Sequence, residues 1–302
     1  MKTCRETGLE KHCPYNRVMN RDDRLRQSSW KAVLHLGFER RKEATVLAHC
    51  RHEGPLRVQK ALYPEGRDLC QVIVLHPPSG IVGGDELFIS VAAGEQSLVQ
   101  MTTPGAGKLY GSAGPKATQS VNLSLGAGAL LEWMPQETIV FDAARANLHT
   151  HVNLSADSTF FGWDIYCLGR LASGEVFNQG TVNVSYRLER VGEALWIERG
   201  RFLGNDPLLH SVVGLDGRTV CGTLMLSYNG IDASAKDLVA LCRDITPDDD
   251  SLYGVTFLPG LLLVRYLGQS SEAVRSWFTK LWMLLRPEYL KRPAVPPRIW
   301  NT

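Results

Sequence analysis

The sequence lacks an excess of charge of either sign and lacks any long apolar run. Its 33 Lys and Arg residues are nearly balanced by 31 Asp and Glu residues, which gives a formal net charge of +2. Proteins that bind nucleic acids usually carry a strong basic excess, so we expect no nucleic-acid partner. The most apolar stretch, residues 255–267, contains Pro259, Gly260 and Arg265 and is too short to span a bilayer. We therefore expect a soluble protein with no membrane partner.

The cysteines follow no pairing or zinc-binding pattern. There are seven of them, an odd number, and no C-x-x-C motif occurs. This argues against a disulfide framework or a zinc ribbon, and favours reduced thiols in the cytoplasm. Residues 1–29 are polar and contain no apolar segment of the kind found in secretory signals. Their composition predicts a flexible tail.

From Trp30 onward, apolar and polar residues alternate with a period of two. Trp30, Leu34 and Phe38 fall on one face of an extended strand, and Lys31 and Glu39 fall on the other. Turn-forming or charged residues separate most of the later runs. Further strands are predicted at 45–51, 56–62, 71–75, 87–92, 97–103, 120–125, 147–154, 158–167, 182–188, 194–199 and 218–226. No fixed internal period of 20–50 residues is visible, so the pattern itself does not predict a regular solenoid.

Helical spacing appears only late in the chain. Residues 235–245 carry an apolar stripe that Asp232 or Ser234 could cap. A stronger helix is predicted after Ser271, because Val274, Phe278, Leu281 and Leu285 recur at helical spacing, and Pro287 is expected to end it. The fold class is therefore mainly β, with many short strands and about two α-helices near the C-terminus. No linker-like composition divides residues 30–302, which predicts a single domain.

Residues 103–112, TPGAGKLYGS, resemble a phosphate-binding loop only in part. A P-loop requires G-x-x-x-x-G-K-[ST]. Here Thr102 occupies the position of the first glycine, and Leu109 follows Lys108 where a magnesium-binding hydroxyl is required. The segment is predicted to be a glycine-rich β-turn, and we expect the chain to bind neither GTP nor ATP.

Metal-ligating and catalytic patterns are incomplete. His149 and His151 share one strand face, but no third ligand follows at a defined spacing, and the group His49, Cys50 and His52 is no better specified.

Glu132 and Glu137 could form the carboxylate pair of a β-stacked carbohydrate-active hydrolase. Ordinary strand–turn–strand structure explains the same segment, residues 130–141, at least as well, because most carboxylates simply face solvent.

Six motifs nevertheless carry a resemblance to a known family. In order they are GPLRVQKALYPEG (54–66), LHPPSGIVGGDELFI (75–89), TTPGAGKLY (102–110), LEWMPQETIVFDAA (131–144), LGRLASGEVF (168–177) and PRIWNT (297–302). From Trp30 to Thr302 the chain resembles the urease accessory protein family UreD, also called UreH. It departs from the family pattern at Ser79, where a glycine is usual, and at Gly107 and Gly111, which replace a small hydroxyl residue and an arginine.

The resemblance implies a cytoplasmic maturation factor without enzymatic activity. Its fold is expected to be a large, helically stacked β body with two helices near the C-terminus. Members of the family bind the partner UreF, which recruits the GTPase UreG, and the assembly docks on apo-urease. No tightly bound cofactor is expected, whereas transient Ni²⁺ is expected, since nickel is thought to reach urease through a tunnel that includes this subunit. A pure protein-binding scaffold without a metal role is the alternative within the same family.

Three acidic residues are the candidates for a nickel route. Asp85, Asp164 and Glu175 match acidic positions of the family motifs. Imidazole and thiolate ligands hold Ni²⁺ firmly, whereas isolated oxygen ligands bind it weakly enough for transit. Asp85 lies in a loop in which Pro77, Pro78 and two glycines restrict the backbone. Its alternative role is to accept hydrogen bonds from the amides of its own turn.

Overall fold

The computed structural model describes residues 29–301, and these residues form a β body with helices packed on one side. The predicted tail over residues 1–29 therefore lies, except for Ser29, outside the described residues. The strands are β1 (Lys31–Arg41), β2 (Ala44–Glu53), β3 (Arg57–Val58), β4 (Leu69–Leu75), β5 (Glu86–Ala93), β6 (Leu98–Thr102), β7 (Gly107–Leu109), β8 (Ala117–Leu125), β9 (Leu130–Met134), β10 (Thr138–Val140), β11 (Arg145–Leu154), β12 (Thr159–Leu168), β13 (Thr181–Arg190), β14 (Glu193–Leu203), β15 (Val220–Ser227), β16 (Leu252–Leu258) and β17 (Leu261–Gly268).

Most strands belong to two stacked sheets, and the chain passes back and forth between them. The first sheet has the order β14-β13-β11-β8-β5-β1-β2, and the second has β16-β17-β15-β12-β9-β6-β4-β3, with β7 and β10 beside it. The pairs β1–β5, β5–β8, β8–β11 and β11–β13 are parallel, as are β4–β6, β6–β9 and β9–β12. This alternation produces a solenoid-like stack and confirms the expected mainly β, helically stacked body.

Turns of four residues connect the sheets at one edge and lie on top of each other. They occupy residues 94–97, 126–129 and 155–158, between β5 and β6, β8 and β9, and β11 and β12. Backbone hydrogen bonds link successive turns: the amide of Gly126 donates to the carbonyl of Ala93 at 2.8 Å, and that of Ser155 donates to Leu125 at 3.1 Å. Connections at the opposite edge differ in length, so the stack has no constant sequence period.

Two α-helices cover the outer face of the second sheet. They are α1 (Ile231–Asp244) and α2 (Ser271–Leu290), and short 3-10 helices lie at Leu171–Ser173, Pro207–Leu209 and Arg298–Asn301. Trp277, Phe278 and Trp282 of α2 are fully buried against that face. Neither helix, nor any other within residues 29–301, is long and apolar enough to cross a membrane.

Both helices are confirmed, but their ends differ from the sequence prediction. Ser270 rather than Ser271 caps α2, because its hydroxyl accepts a hydrogen bond from the amide of Ala273 at 3.1 Å. Pro287 does not end α2, which continues to Leu290. The first helix begins after Gly230 without a side-chain cap, and Asp232 instead accepts a bond from the amide of Gly260 at 2.9 Å.

The predicted strands are confirmed with small shifts in their bounds, with one exception. The run 56–62 forms only the two-residue strand β3 and an isolated bridge between Leu62 and Gln71. Two further strands, β16 and β17, were not predicted. They lie in the apolar stretch that was considered only as a membrane span, and Pro259 and Gly260 form the turn between them. The turn requires a positive φ, which Gly260 adopts at 78°.

Candidate functional site

Two rows of side chains face each other between the sheets near the β14 edge. In the second sheet, Asp164 of β12 pairs in register with Thr223 of β15, which pairs with Arg265 of β17. In the first sheet, Tyr186 of β13 pairs with Glu198 of β14. All five residues line one small cavity between the sheets. Residues far apart in sequence therefore meet here because strand register places them in adjacent rows.

This cavity is the middle one of three neighbouring cavities. The middle cavity, about 70 Å³, shares Asp164 and Tyr166 with a cavity of about 210 Å³, which we call the loop-side cavity because residues 103–109 line it. On its other side it shares Glu198, Cys221 and Arg265 with a cavity of about 530 Å³, which we call the edge cavity because β14 and residues 206–215 border it. Even the smallest is large enough for several water molecules. The three cavities lie in series across the molecule.

Asp164 stands at the shared wall of the loop-side and middle cavities without a partner. Within residues 29–301, no group donates a hydrogen bond to its carboxylate and no cation pairs with it. The surrounding protein desolvates the carboxylate, and the charge of Glu198 adds to this effect, so that the pKa of Asp164 is raised to about 7. Its side chain nevertheless retains some solvent access, through the cavities that it lines. A desolvated carboxylate that lacks a partner is available to a ligand that enters the cavity.

Glu198 marks the other end of the middle cavity, and its charge is already compensated. Its Oε1 accepts a hydrogen bond from Nη1 of Arg265 at 2.8 Å, and its Oε2 accepts one from Nε1 of Trp196 at 3.2 Å. The same Nη1 of Arg265 lies 2.7 Å from Oγ1 of Thr223. The guanidinium also lies over the ring of Trp196, 5.6 Å from its centroid.

The remaining polar groups of the middle cavity are neutral. Burial, together with the charges of Asp164 and Glu198, raises the pKa of both Tyr166 and Tyr186 far above the usual range of a phenol. Burial also raises the pKa of the Cys221 thiol to about 12, despite the opposing effect of Arg265. At neutral pH the cavity therefore offers carboxylate, hydroxyl and phenol oxygens, and no thiolate.

Asp85 is held within its own loop. Its Oδ1 accepts a hydrogen bond from the amide of Trp30 at 2.8 Å, and its Oδ2 accepts one from the amide of Val82 at 2.9 Å. The loop is as tight as its composition predicted, because a side chain on Gly83 would lie 2.2 Å from the carbonyl oxygen of Pro115. Asp85 is not among the residues that line the three cavities. Its hydrogen bonds match the turn-stabilising alternative, and its assignment to a nickel route stays a prediction.

The same loop does present one residue to the loop-side cavity, which sequence reasoning missed. His76 lines it, and burial lowers the pKa of its imidazole, although the nearby charge of Asp85 opposes the shift. The imidazole is thus predominantly neutral at physiological pH, which is the form that binds metals. The signal was its position at the end of a buried strand, directly before Pro77 and Pro78.

Glu175 also has partners outside the cavities. Its Oε1 accepts a hydrogen bond from the amide of Asp142 at 2.9 Å, and its Oε2 forms an ion pair with Arg170. Asp142 in turn accepts bonds from the amides of Asn178 and Gln179. The structure therefore does not bring Asp85, Asp164 and Glu175 together, and of the three only Asp164 lines the cavities described above.

The geometry does not support the paired-carboxylate alternative. Glu132 is fully buried, and its carboxylate accepts bonds from Trp282 Nε1 at 2.8 Å, Arg286 Nε at 2.9 Å and Tyr289 OH at 2.6 Å. Glu137 lies beside a different partner, with its Oε2 3.7 Å from Nη1 of Arg275. Because protein groups saturate Glu132, no substrate can reach it.

The histidine and cysteine clusters do not form a closed metal site. His151 pairs with Glu189, with Nε2 3.0 Å from Oε1. Residues 29–301 contain no group of three or more His, Cys, Asp or Glu side chains that could hold a metal ion. The five cysteines of this part of the chain are free thiols.

Comparison with known proteins agrees with the fold and the motifs. The family model described as UreD urease accessory protein matches residues 31–301. The chain is 57% identical over 274 residues to the urease accessory protein UreD of Dechloromonas aromatica (strain RCB), an alignment that covers 91% of this chain and 95% of that relative. It is 47% identical to the proteins of the same name from Azoarcus sp. (strain BH72) and Nitrosococcus oceani, over 91% of this chain and 95% and 91% of theirs. The chain therefore belongs to the UreD family of urease accessory proteins, a membership that implies a role in urease maturation.

Proposed function

We propose that this protein is a non-catalytic maturation factor that lets Ni²⁺ pass between its two sheets towards apo-urease. The observation that carries the proposal is the half-buried, desolvated carboxylate of Asp164, which has no partner within the described residues and forms part of the wall between two adjacent cavities. In this proposal the ion moves through the loop-side, middle and edge cavities, and Asp164 and Glu198 supply its oxygen ligands.

The ligand chemistry suits transit better than storage. Ni²⁺ ranks high in the general order of metal affinity, and a closed set of imidazole or thiolate ligands would retain it. The middle cavity offers separated carboxylates, hydroxyls and a thiol whose pKa of about 12 keeps it protonated. Such a site attracts the ion by charge and releases it again, because water completes its coordination.

Membership of the UreD family supports a proposal for the partners and location. We propose that the chain binds UreF, that UreF brings the GTPase UreG, and that this assembly docks on apo-urease in the cytoplasm. The absence of a complete phosphate-binding loop at 102–109 fits a division of labour in which UreG hydrolyses GTP. Free thiols at Cys50, Cys70, Cys167, Cys221 and Cys242 fit a reducing compartment.

The test is nickel loading by charge-removing variants. Asp164→Asn, alone and combined with Glu198→Gln, keeps side-chain size while it removes the carboxylate charge. We expect both variants to assemble with UreF, UreG and urease, and to give urease with severalfold less nickel and correspondingly lower activity. The matched control is Asp237→Asn, which changes an exposed aspartate on α1.

Complex assembly by pull-down and nickel content by mass spectrometry are measured on the same preparations. Normal nickel loading by the Asp164→Asn/Glu198→Gln variant would leave only the scaffold alternative. Asp85→Asn and Glu175→Gln belong in the same series. If either variant assembles normally but gives urease with less nickel, the substituted residue belongs to the nickel route. If the variant loses assembly or stability, the residue has a structural role in its own loop.

A further inference from the structure

Arg265 is the only cationic residue among those that line the middle cavity within the described chain. It lies at the boundary with the edge cavity, which it also lines. Its guanidinium bridges the sheets, because it comes from β17 of the second sheet and bonds to Glu198 of the first sheet. A positive charge is unexpected beside a passage for a divalent cation, since like charges repel each other.

The contacts of Arg265 place this charge where a cation would bind. Its Nη1 lies 2.8 Å from Oε1 of Glu198 and 2.7 Å from Oγ1 of Thr223, so it occupies oxygen atoms of two residues that line the middle cavity. Asp164, which pairs in register with Thr223, remains without a cation. The guanidinium thus compensates the charge at one end of the middle cavity only.

The surroundings give Arg265 room to move. Its side chain is 44% exposed, on the side of the edge cavity of about 530 Å³. In the neighbouring strand β16 it lies opposite Gly254, which has no side chain to hold it. Asp206 also lines the edge cavity and is a second carboxylate there, with its Oδ1 accepting a hydrogen bond from the amide of Leu208 at 2.9 Å.

We propose that Arg265 is the gate between the middle and edge cavities: paired with Glu198 it closes the passage to Ni²⁺, and displaced towards the edge cavity it opens the passage. This inference rests on the proposed function, and it assigns a regulatory residue to the same site. Arg265 contributes no ligand to the ion. It acts through Glu198, by occupying the oxygen atoms that the ion needs next after Asp164.

A purely structural role for the pair predicts a different outcome. If Arg265 only compensates the charge of Glu198, its removal lowers stability and leaves metal affinity unchanged. If Arg265 is a gate, its removal frees Glu198 for the ion and raises metal affinity. Equilibrium binding of Ni²⁺ by the full-length protein, without any partner, separates the two.

The experiment measures Ni²⁺ affinity by competition with a chromophoric chelator at pH 8, where Asp164 carries its charge. We expect Arg265→Met to bind Ni²⁺ about tenfold more tightly than the unaltered protein, because a like charge next to the site is gone. Arg265→Lys keeps the charge and should stay near the original affinity. Arg201→Met, which removes a cation that lines the edge cavity alone, is the matched control and should change nothing.

The double variant Asp164→Asn/Arg265→Met shows whether the higher Ni²⁺ affinity depends on Asp164. If the gate controls the step from Asp164 to Glu198, adding Asp164→Asn to Arg265→Met abolishes the higher Ni²⁺ affinity. An unchanged or weaker affinity of folded Arg265→Met, or a gain that survives Asp164→Asn, would overturn the proposal. Should Arg265→Met not fold, as judged by thermal melting, Arg265→Gln retains donors for Glu198 and Thr223 and carries the same test.

The two proposals fail in different assays. Normal urease loading by Asp164→Asn/Glu198→Gln contradicts the nickel route itself. An unchanged affinity of Arg265→Met contradicts only the gate and leaves the route standing.

Discussion

At the scale of single residues, Asp85 and Asp164 are two aspartates in different surroundings: the carboxylate of Asp85 accepts two backbone hydrogen bonds, whereas that of Asp164 has no partner within the described residues. The family motifs pointed to both, and nothing in their local sequences distinguishes them. Glu198 gave no signal, since it stands in an alternating strand where a charged residue is expected to face solvent, and Arg265 was noted only as a charge within the apolar stretch 255–267. Their meeting depends on how one sheet lies over the other, which a pattern within one strand does not encode.

The desolvated charge of Asp164 predicts a pH-dependent cost in stability. The pKa of Asp164 is raised to about 7 in the folded protein, whereas an unfolded chain loses this proton near its ordinary pKa of about 3.9. Between these values the folded state holds a proton that the unfolded state has lost, so stability falls as pH rises through this window. At pH values above this window the full loss of stability remains. We therefore expect Asp164→Asn to stabilise the protein more at pH 8.5 than at pH 5, by a difference on the order of 2–3 kcal/mol.

Urea unfolding of both proteins at the two pH values measures this difference. Asp237→Asn, on the exposed face of α1, should show no pH-dependent gain. An equal effect of Asp164→Asn at pH 5 and pH 8.5 would show that the carboxylate is not desolvated in the folded protein.

At the scale of elements, α2 is joined to the β body by a buried network of charges. Arg286 forms two bonds to Glu65, from Nη1 at 2.6 Å and Nη2 at 2.9 Å, and Arg286 Nε bonds to Glu132 at 2.9 Å. Burial opposes the charged form of the guanidinium, but the two carboxylates outweigh it and raise the pKa of Arg286. The helix was predictable from its apolar spacing, whereas this network was not, because its members are separated by up to 221 positions.

Removal of one member of this network should be costly. Glu132→Ala leaves Arg286 with one carboxylate instead of two and deprives Trp282 and Tyr289 of their acceptor. Breaking a buried pair in this way typically costs about 3–5 kcal/mol of unfolding free energy. Lys280→Ala on the same helix breaks an exposed pair with Asp248 and should cost less than about 1 kcal/mol. Chemical denaturation of the two variants checks the contrast, and similar costs would mean that the network contributes no more than a surface pair.

At the scale of the whole molecule, the stacked body was predictable from the family motifs but not from periodicity. The turns at 94–97, 126–129 and 155–158 are equal in length, yet they begin at intervals of 32 and 29 residues because the returning connections differ. An irregular interval hides a solenoid from any search for a constant repeat. The apolar stretch 255–267 was rejected as a membrane segment but was not predicted to form strands, because the nearly continuous apolar residues of the buried strand β17 do not alternate.

The surface between β14 and β15 should limit the solubility of the isolated chain. Val212 and Val213 are 83% and 84% exposed, and Leu208 nearby is 54% exposed. Adjacent exposed apolar side chains promote association between copies, whereas single ones are common and harmless. We expect Val212→Ser/Val213→Ser to raise the saturation concentration severalfold and to leave the melting temperature unchanged, since neither side chain is packed. Val295→Ser, which replaces a single exposed valine elsewhere, should have little effect. Static light scattering and thermal melting measure the two quantities, and an unchanged saturation concentration of the double variant would assign the limit to another part of the surface.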